Sequence, residues 1–273
     1  IRKASDFLMA LQLTGAAKHN SLANLQVRLP IGIIGGGLTA IDTTTEVMAY
    51  YPVQVEKIKS RYEELVACYG EDRVRGQYDE EELGILDEYL EHGRAIAAER
   101  QRAAVAGESP DFQKLIDGWG GVTMFYRKGI KDSPAYRQNH EEIYEALQEG
   151  IHLAEGMSPV EAIEDEYGAL KAVKFDILEE KEGRWISEGK SRKVPVRSLF
   201  IAAGTAPNTI YEQEYPYNFR MDEKFFQRYE PHWEDGETPE LVPMNDTPIP
   251  KLGKPAPLTS YHKHGKFISF YGD

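Results

Sequence analysis

The stretch Leu29-Pro30-Ile31-Gly32-Ile33-Ile34-Gly35-Gly36-Gly37-Leu38-Thr39-Ala40-Ile41-Asp42 joins a short apolar run to three glycines and a helix-forming segment. Gly35, Gly37 and Ala40 fit the G-x-G-x-x-G/A pattern of turns that bind a dinucleotide pyrophosphate. In such a turn the first glycine makes the bend and the second lets phosphate approach the backbone. The helix N-terminus adds free N–H groups and a positive dipole end. The pattern predicts a nucleotide site, with an ordinary strand-turn-helix corner as the alternative.

The residues on either side of the glycines support the first interpretation. The preceding run, Ile31–Ile34, is rich in β-branched residues, as a buried parallel strand should be. The following residues keep helical spacing through Ile41, Thr45, Met48 and Ala49.

The composition limits the classes of function. The chain has 273 residues, of which 41% are hydrophobic, enough for one large core or two small ones. Its 32 Lys and Arg against 45 Asp and Glu give a net charge of −13, which argues against a nucleic-acid or membrane partner. No apolar run approaches the roughly 20 residues that span a bilayer, and no signal peptide is present, so we expect a cytoplasmic protein. The single cysteine, Cys68, excludes an internal dithiol–disulfide couple.

Hydrophobic periodicity predicts alternating strands and helices interrupted by a long helical stretch. Helices are expected at 5–13, 39–51, 53–69, 80–106, 111–116 and 139–148. Strands are expected at 31–34, 122–126, 151–154, 170–178, 184–186, 196–203 and 267–271, with 170–178 and 184–186 pairing as an antiparallel hairpin. We interpret 52–118 as a helical insertion and 206–266 as a long irregular segment.

Two segments compete to be the second strand of the sheet. Residues 53–56 place Glu56 about 20 residues after Gly35, where a carboxylate would bind the ribose of NAD. Residues 122–126 are instead followed by Arg127 and Lys128. We favour the second segment, because 53–69 keeps an apolar stripe at helical spacing. Cations at this position suit the 2′-phosphate of NADP, with a solvated loop as the alternative.

Several further segments carry motifs in a consistent order. They are 4–8 (Ala-Ser-Asp-Phe-Leu), 122–128 with 132–135, the helix and strand of 141–151, 200–208 with its Ala-x-Gly-x-x-Pro-Asn turn, and 270–273. Together with 35–42 they resemble the NAD(P)-binding domain of FAD-dependent pyridine nucleotide-disulfide oxidoreductases. The chain is most similar to the glutamate synthase small-subunit branch of that family.

The resemblance implies a Rossmann-like α/β domain spanning 1–273, with a parallel sheet, helices, an antiparallel hairpin layer and the helical insertion. No second glycine motif precedes Gly35 to hold FAD. The chain also begins at Ile1 rather than Met and stops at Gly272-Asp273, where the family's FAD domain resumes. We therefore expect a piece of a longer flavoprotein or a processed chain. The implied partners are the FAD domain of the same parent and an electron-acceptor subunit, with at most partial FAD contacts at Gly272 and Asp273.

The resemblance also assigns roles to individual residues. The turn would hold the pyrophosphate, Leu38 would lie beside the nicotinamide, and Asp42 would lie near its carboxamide. Arg127 and Lys128 would bind the 2′-phosphate with help from Lys131. The full predicted set for NADPH is Gly35, Gly36, Gly37, Leu38, Thr39, Ala40, Asp42, Arg127, Lys128, Lys131, Gly204 and Thr205.

The predicted function is delivery of hydride from NADPH to a flavin bound outside this chain, which needs no catalytic acid or base. The chain alone is then expected to be inactive, although its parent is an NAD(P)H-dependent oxidoreductase. The final electron acceptor stays open. The alternative is a non-catalytic interaction domain that binds a partner through the insertion. His262 and His264 are weak evidence for a metal, and no metal site is predicted.

Overall fold

The strand that precedes the glycines lies in the middle of a parallel sheet. The structure, a computed structural model, describes residues 1–204, 209–223, 225–227, 229–232, 240–243, 258–261 and 267–270. The chain divides into two compact units, Ile1–Gly204 and Thr205–Asp273.

The first unit contains eight strands and six helices, together with a 3-10 turn at Ile130–Asp132. In chain order they are β1 (Arg2–Lys3), α1 (Ala4–Thr14), β2 (Ile31–Ile34), α2 (Leu38–Tyr69), α3 (Glu71–Arg75), α4 (Glu80–Ala106), α5 (Phe112–Gly118), β3 (Val122–Phe125), α6 (Pro134–Gln148), β4 (His152–Ala154), β5 (Met157–Glu164), β6 (Leu170–Lys181), β7 (Arg184–Pro195) and β8 (Ser198–Ile201).

The parallel sheet has five strands in the order β1-β8-β2-β3-β4. Along β2, side chains alternate between the two faces, as the period of a strand requires. Ile31 and Ile33 pack with α1, α2 and α6, whereas Ile34 packs against the antiparallel strands β5, β6 and β7. The unit is therefore a mixed α/β structure in three layers, compatible with a Rossmann-like fold.

The second strand of this sheet is β3, as the sequence predicts. It runs parallel to β2, with Ile31 opposite Val122 and Ile34 opposite Phe125. Residues 53–56 lie inside α2, so they form no strand. Glu56 instead accepts two hydrogen bonds from Arg100 of α4, at 2.6 and 3.0 Å. The competing assignment of Glu56 to the ribose is therefore wrong.

Helix α2 is longer than the sequence suggests. It continues for 32 residues through Pro52, which is buried, so no new element begins where we placed the start of the insertion. A proline inside a helix removes one backbone hydrogen bond, and packing on both sides outweighs that loss here. Helix α4 packs on α2 and has the predicted bounds, with an Asp79–Glu82 capping box at its start.

Polar side chains of α2 and α4 hold the extended chain that leads into β2. The buried Gln54 amide donates to the Val27 carbonyl at 2.8 Å and accepts from the Val27 N–H at 2.7 Å. Tyr89 donates to the same carbonyl at 3.0 Å. The Lys57 ammonium donates to two carbonyls, those of Ala16 and Ala23, at 2.8 Å each. These helices therefore help to position β2 and the glycines that follow it.

The antiparallel layer has three strands, β5-β6-β7. The expected hairpin is present, but β7 extends to Pro195, and β5 was not predicted. The expected helix at 139–148 begins earlier, at Pro134, with Ser133 as its N-cap and a kink at Asn139. The strand expected at 196–203 is shorter in the structure, where β8 spans Ser198–Ile201.

The second unit corrects the expectation of an irregular segment at 206–266. Its described residues contain a short helix, α7 (Ile210–Glu214), and six short strands. These are β9 (Met221–Asp222), β10 (Phe225–Phe226), β11 (Tyr229–His232), β12 (Glu240–Pro243), β13 (Leu258–Tyr261) and β14 (Phe267–Phe270). Strands β12-β11-β13-β14 form an antiparallel sheet. Strand β14 lies within the strand expected at 267–271. The other five are short strands that pairing stabilises, and hydrophobic periodicity alone did not show them.

Candidate functional site

The candidate site lies at the carboxyl ends of β2, β3 and β8. From β2 the chain continues to β3 and β4 on one side of the sheet, and it later returns to β8 on the other side. The order of strands therefore reverses beside β2. In open α/β sheets, ligands bind at such a switch point, outside the carboxyl ends of the strands.

Gly35 is required by the close approach of β8. Its φ is +157°, and a Cβ at this position would lie 2.4 Å from the Ala202 carbonyl oxygen. Its N–H donates to the Phe125 carbonyl at 3.1 Å. Any side chain here would push the turn away from the neighbouring strand ends.

Gly36 is required by an aromatic ring. A Cβ on Gly36 would lie 2.4 Å from Cε2 of Tyr126, the residue directly after β3. The Gly36 carbonyl accepts the Ala135 N–H from the first turn of α6, at 3.0 Å. The glycine turn is thus fixed to both β3 and α6.

Gly37 differs from its two neighbours because it faces open space. A Cβ on Gly37 would meet no protein atom of the described chain within 4 Å. Gly37 is the N-cap of α2, and its carbonyl accepts the N–H groups of Ala40 and Ile41. In the described part of the chain, the N–H groups of Gly37, Leu38 and Thr39 find no hydrogen-bond acceptor. Free donors beside open space are suited to bind an anion.

Four cationic side chains surround the end of β3. They are Arg127, Lys128, Lys131 and Arg137, all exposed, and none forms an ion pair within the residues that the structure describes. Burial raises the pKa of the Tyr126 hydroxyl, while the positive charges of Arg127 and Arg137 partly oppose that rise. The Tyr126 ring therefore lies against the glycine turn and near Arg127 and Arg137, and no described acidic side chain pairs with these cations.

Asp42 lies one turn into α2 and is exposed. Partial burial raises the pKa of its carboxyl, and the negative charges of Glu142 and Glu46 raise it further. Leu38, at the first position of α2, is half-buried and packs against the hydrophobic core, as does the fully buried Ala40. The structure thus brings Leu38, Thr39, Ala40 and Asp42 together at the start of one helix.

The remaining predicted residues divide into two groups. Gly204 follows β8 with a φ of +110°, and a Cβ there would meet nothing within 4 Å in the described chain. Thr205, Gly272, Asp273, His262 and His264 lie outside the described residues.

Sequence reasoning missed four residues of this region. Two of them are the Tyr126 ring, which lies on the glycine turn, and the fourth cation, Arg137. The other two are Glu155 and Trp185, which hold the loop of residues 127–132, called the cationic loop below. Only Arg137 had a signal in the sequence, its position shortly after the Arg127-Lys128 pair. The others depend on contacts between distant parts of the chain.

The described ranges contain no group of three or more His, Cys, Asp or Glu side chains that could hold a metal ion. Across these same ranges, no helix combines the length and apolar character needed to cross a bilayer.

The chain is similar to a protein of known sequence but unknown function. The chain is 31% identical over 244 residues to an uncharacterized protein of Rickettsia prowazekii, RP006. The match covers 83% of this chain but only 31% of the length of that protein. No protein-family profile matches the chain.

Proposed function

We propose that the protein binds NADPH at the carboxyl edge of its parallel sheet and delivers hydride to a flavin held outside this chain. The finer fold class that we propose is a Rossmann-like dinucleotide-binding domain of a pyridine nucleotide-disulfide oxidoreductase, similar to the glutamate synthase small subunit. The observation that carries the proposal is Gly37. It combines open space, free N–H groups and a helix N-terminus next to unpaired cations.

The residues present fit the parts of this cofactor. The N–H groups of Gly37, Leu38 and Thr39 would bind the pyrophosphate, because they have no acceptor in the described chain. Arg127 and Lys128 would bind the 2′-phosphate through charge-assisted hydrogen bonds. Gly204 would let the cofactor lie close to the end of β8.

When bound, NADPH supplies the hydride, and the protein supplies position and electrostatics. Asp42 would lie near the carboxamide. Partial burial, together with the negative charges of Glu142 and Glu46, raises the pKa of the Asp42 carboxyl. None of these residues needs to act as a general acid or base. FAD, the parent's FAD domain and an electron-acceptor subunit remain part of this proposal.

The alternative function is a non-catalytic interaction domain that uses the helices of 52–118. Those helices have a structural use, because Gln54, Lys57 and Tyr89 hold the chain that leads into β2. We therefore favour the cofactor-binding function, and nucleotide binding discriminates between the two.

The test is calorimetric titration of NADPH into the wild-type chain and into Gly37→Val. The Cβ of valine would enter the space proposed for phosphate without meeting a described protein atom within 4 Å. Gly84→Val is the matched control, because Gly84 is exposed on α4 and a Cβ there would also meet no described atom within 4 Å. We expect Gly37→Val to lose measurable binding at an unchanged circular dichroism spectrum, and Gly84→Val to bind normally. Absence of binding by the wild type, or equal binding by Gly37→Val, would refute the proposal.

A further inference from the structure

The loop that carries the cations is held by a tryptophan from the antiparallel layer. Trp185, near the start of β7, donates from Nε1 to the Asp132 carboxylate at 3.1 Å. A Cβ on Gly129 would lie 3.3 Å from Cζ2 of this indole, and a Cβ on Gly156 would lie 3.3 Å from Cζ3. The indole is therefore fitted between two glycines, one in the cationic loop and one between β4 and β5.

The same loop is fixed at further points. The Glu155 carboxylate accepts the Ile130 N–H at 2.6 Å, and the Tyr126 carbonyl accepts the Met157 N–H at 2.9 Å. Downstream, the Ser133 hydroxyl caps α6 by accepting the Tyr136 N–H at 3.1 Å. All these contacts hold backbone or acidic groups, so within the part of the chain that the structure describes the cations themselves form no ion pair.

We propose that Trp185 is a positioning residue that sets the selectivity for a 2′-phosphorylated dinucleotide. It holds Gly129–Asp132, and the loop in turn holds the backbone of Arg127 and Lys128 in one arrangement. This inference rests on the proposed function. Long cationic side chains lose entropy when they bind, and a backbone that is already ordered reduces that cost. Loosening the loop therefore weakens the 2′-phosphate contacts and leaves the pyrophosphate contacts at Gly37 unaffected.

The first test compares Trp185→Phe with the wild type. Phenylalanine keeps an aromatic ring but removes the N–H that reaches Asp132. The measurements are the dissociation constants of NADPH and of NADH, and the readout is their ratio. A general loss of structure would weaken both nucleotides together and would leave the ratio unchanged.

We expect Trp185→Phe to reduce the preference for NADPH by about threefold to tenfold, the range that corresponds to one lost hydrogen bond. Affinity for NADH should stay within about twofold of the wild type. Trp119→Phe is the matched control. Trp119 directly follows α5 and stacks on His92 of α4, with 3.8 Å between the two ring centroids. This variant should leave the ratio as it is in the wild type.

A second pair of variants isolates the hydrogen bond itself. Asp132→Asn and Asp132→Leu both remove the negative charge, but only asparagine keeps an oxygen that can accept from Trp185. We expect the preference for NADPH to be about threefold to tenfold higher in Asp132→Asn than in Asp132→Leu.

The outcomes separate the two proposals. Suppose that the wild type prefers NADPH, that Trp185→Phe has the same ratio of NADPH to NADH dissociation constants as the wild type, and that Asp132→Asn and Asp132→Leu have equal ratios. The role of Trp185 is then refuted, and the proposed function stands. If the wild type binds neither nucleotide, or binds both alike, both proposals are refuted.

Discussion

The ring of Tyr126 occupies the space that a side chain at Gly36 would need. A Cβ on Gly36 would lie 2.4, 2.5 and 2.8 Å from three carbons of that ring. A Cβ on the adjacent Gly37 would meet no described atom within 4 Å. The packing of the protein itself therefore requires glycine at position 36, whereas it places no such demand on position 37, where we propose that a ligand binds.

This difference predicts that the same substitution destabilises the protein at one position and is nearly neutral at the other. Gly36→Ala should lower the free energy of unfolding by about 1–3 kcal/mol, because the ring and the turn must move apart. Gly37→Ala should change it by less than about 0.5 kcal/mol. Urea denaturation measures both values.

The double variant Gly36→Ala, Tyr126→Ala serves as the control for that mechanism. The double variant should then have nearly the same free energy of unfolding as Tyr126→Ala alone. An equal loss of stability in the presence and absence of the Tyr126 ring would show that the contact is not the cause.

Gln54 should be important for stability although its side chain is polar. Gln54→Leu leaves the N–H of Val27 buried without a partner, and its carbonyl then keeps only the Tyr89 hydroxyl. The expected loss is about 1–3 kcal/mol, the cost of an unsatisfied buried polar group. Gln101→Leu, at an exposed position of α4, is the matched control and should be nearly neutral. Thermal unfolding compares the two, and equal melting temperatures would contradict the role of Gln54.

His92 should make the fold sensitive to acid. It is buried, its Nδ1 lies 2.6 Å from the Tyr51 hydroxyl, and burial lowers its pKa below the usual 6.5. The unfolded chain then takes up the proton first, so stability is full above the unfolded pKa and falls as the pH drops below it. His92→Gln removes this titration.

Between about pH 7.5 and pH 5.5, the wild type should therefore lose more stability than His92→Gln does. His19→Gln, at an exposed position, is the control and should follow the wild type. Urea denaturation at the two pH values gives the comparison. Parallel pH dependence of the wild type and His92→Gln would rule out this role.

Under the proposed function, the purified chain should be colourless and should not oxidise NADPH by itself. The reason is that no second glycine motif is present to hold FAD. Absorbance at flavin wavelengths and a simple NADPH oxidation assay test this. A yellow protein with stoichiometric FAD would show that the flavin site lies within the chain.

Much of the first unit follows from local sequence. The β-branched run Ile31–Ile34 is strand β2 with the predicted bounds, and helix α4 has its predicted bounds, Glu80–Ala106. Strand β5 was missed because Pro159 and exposed acidic residues hide its pattern, and because its pairing with β6 is irregular at that proline.

The parts of the site that the sequence could not reveal depend on long-range contacts. Trp185 reaches Gly129 only because the register of β6 and β7 and the packing of the antiparallel layer bring them together. The position of the Tyr126 ring over Gly36 likewise requires the pairing of β2 with β3. Motif spacing carries no information about such contacts.

The most direct test of the central claim compares the affinities of NADPH and NADH in the wild type and in Arg127→Ala. Charge-assisted bonds to a 2′-phosphate contribute roughly 1.5–3 kcal/mol each, and about 1.4 kcal/mol is a factor of ten. Wild-type protein should therefore bind NADPH at least about tenfold tighter than NADH. Arg127→Ala should remove most of that preference and leave the affinity for NADH nearly unchanged. Equal binding of the two nucleotides by the wild type, or a preference that survives in Arg127→Ala, would contradict the account.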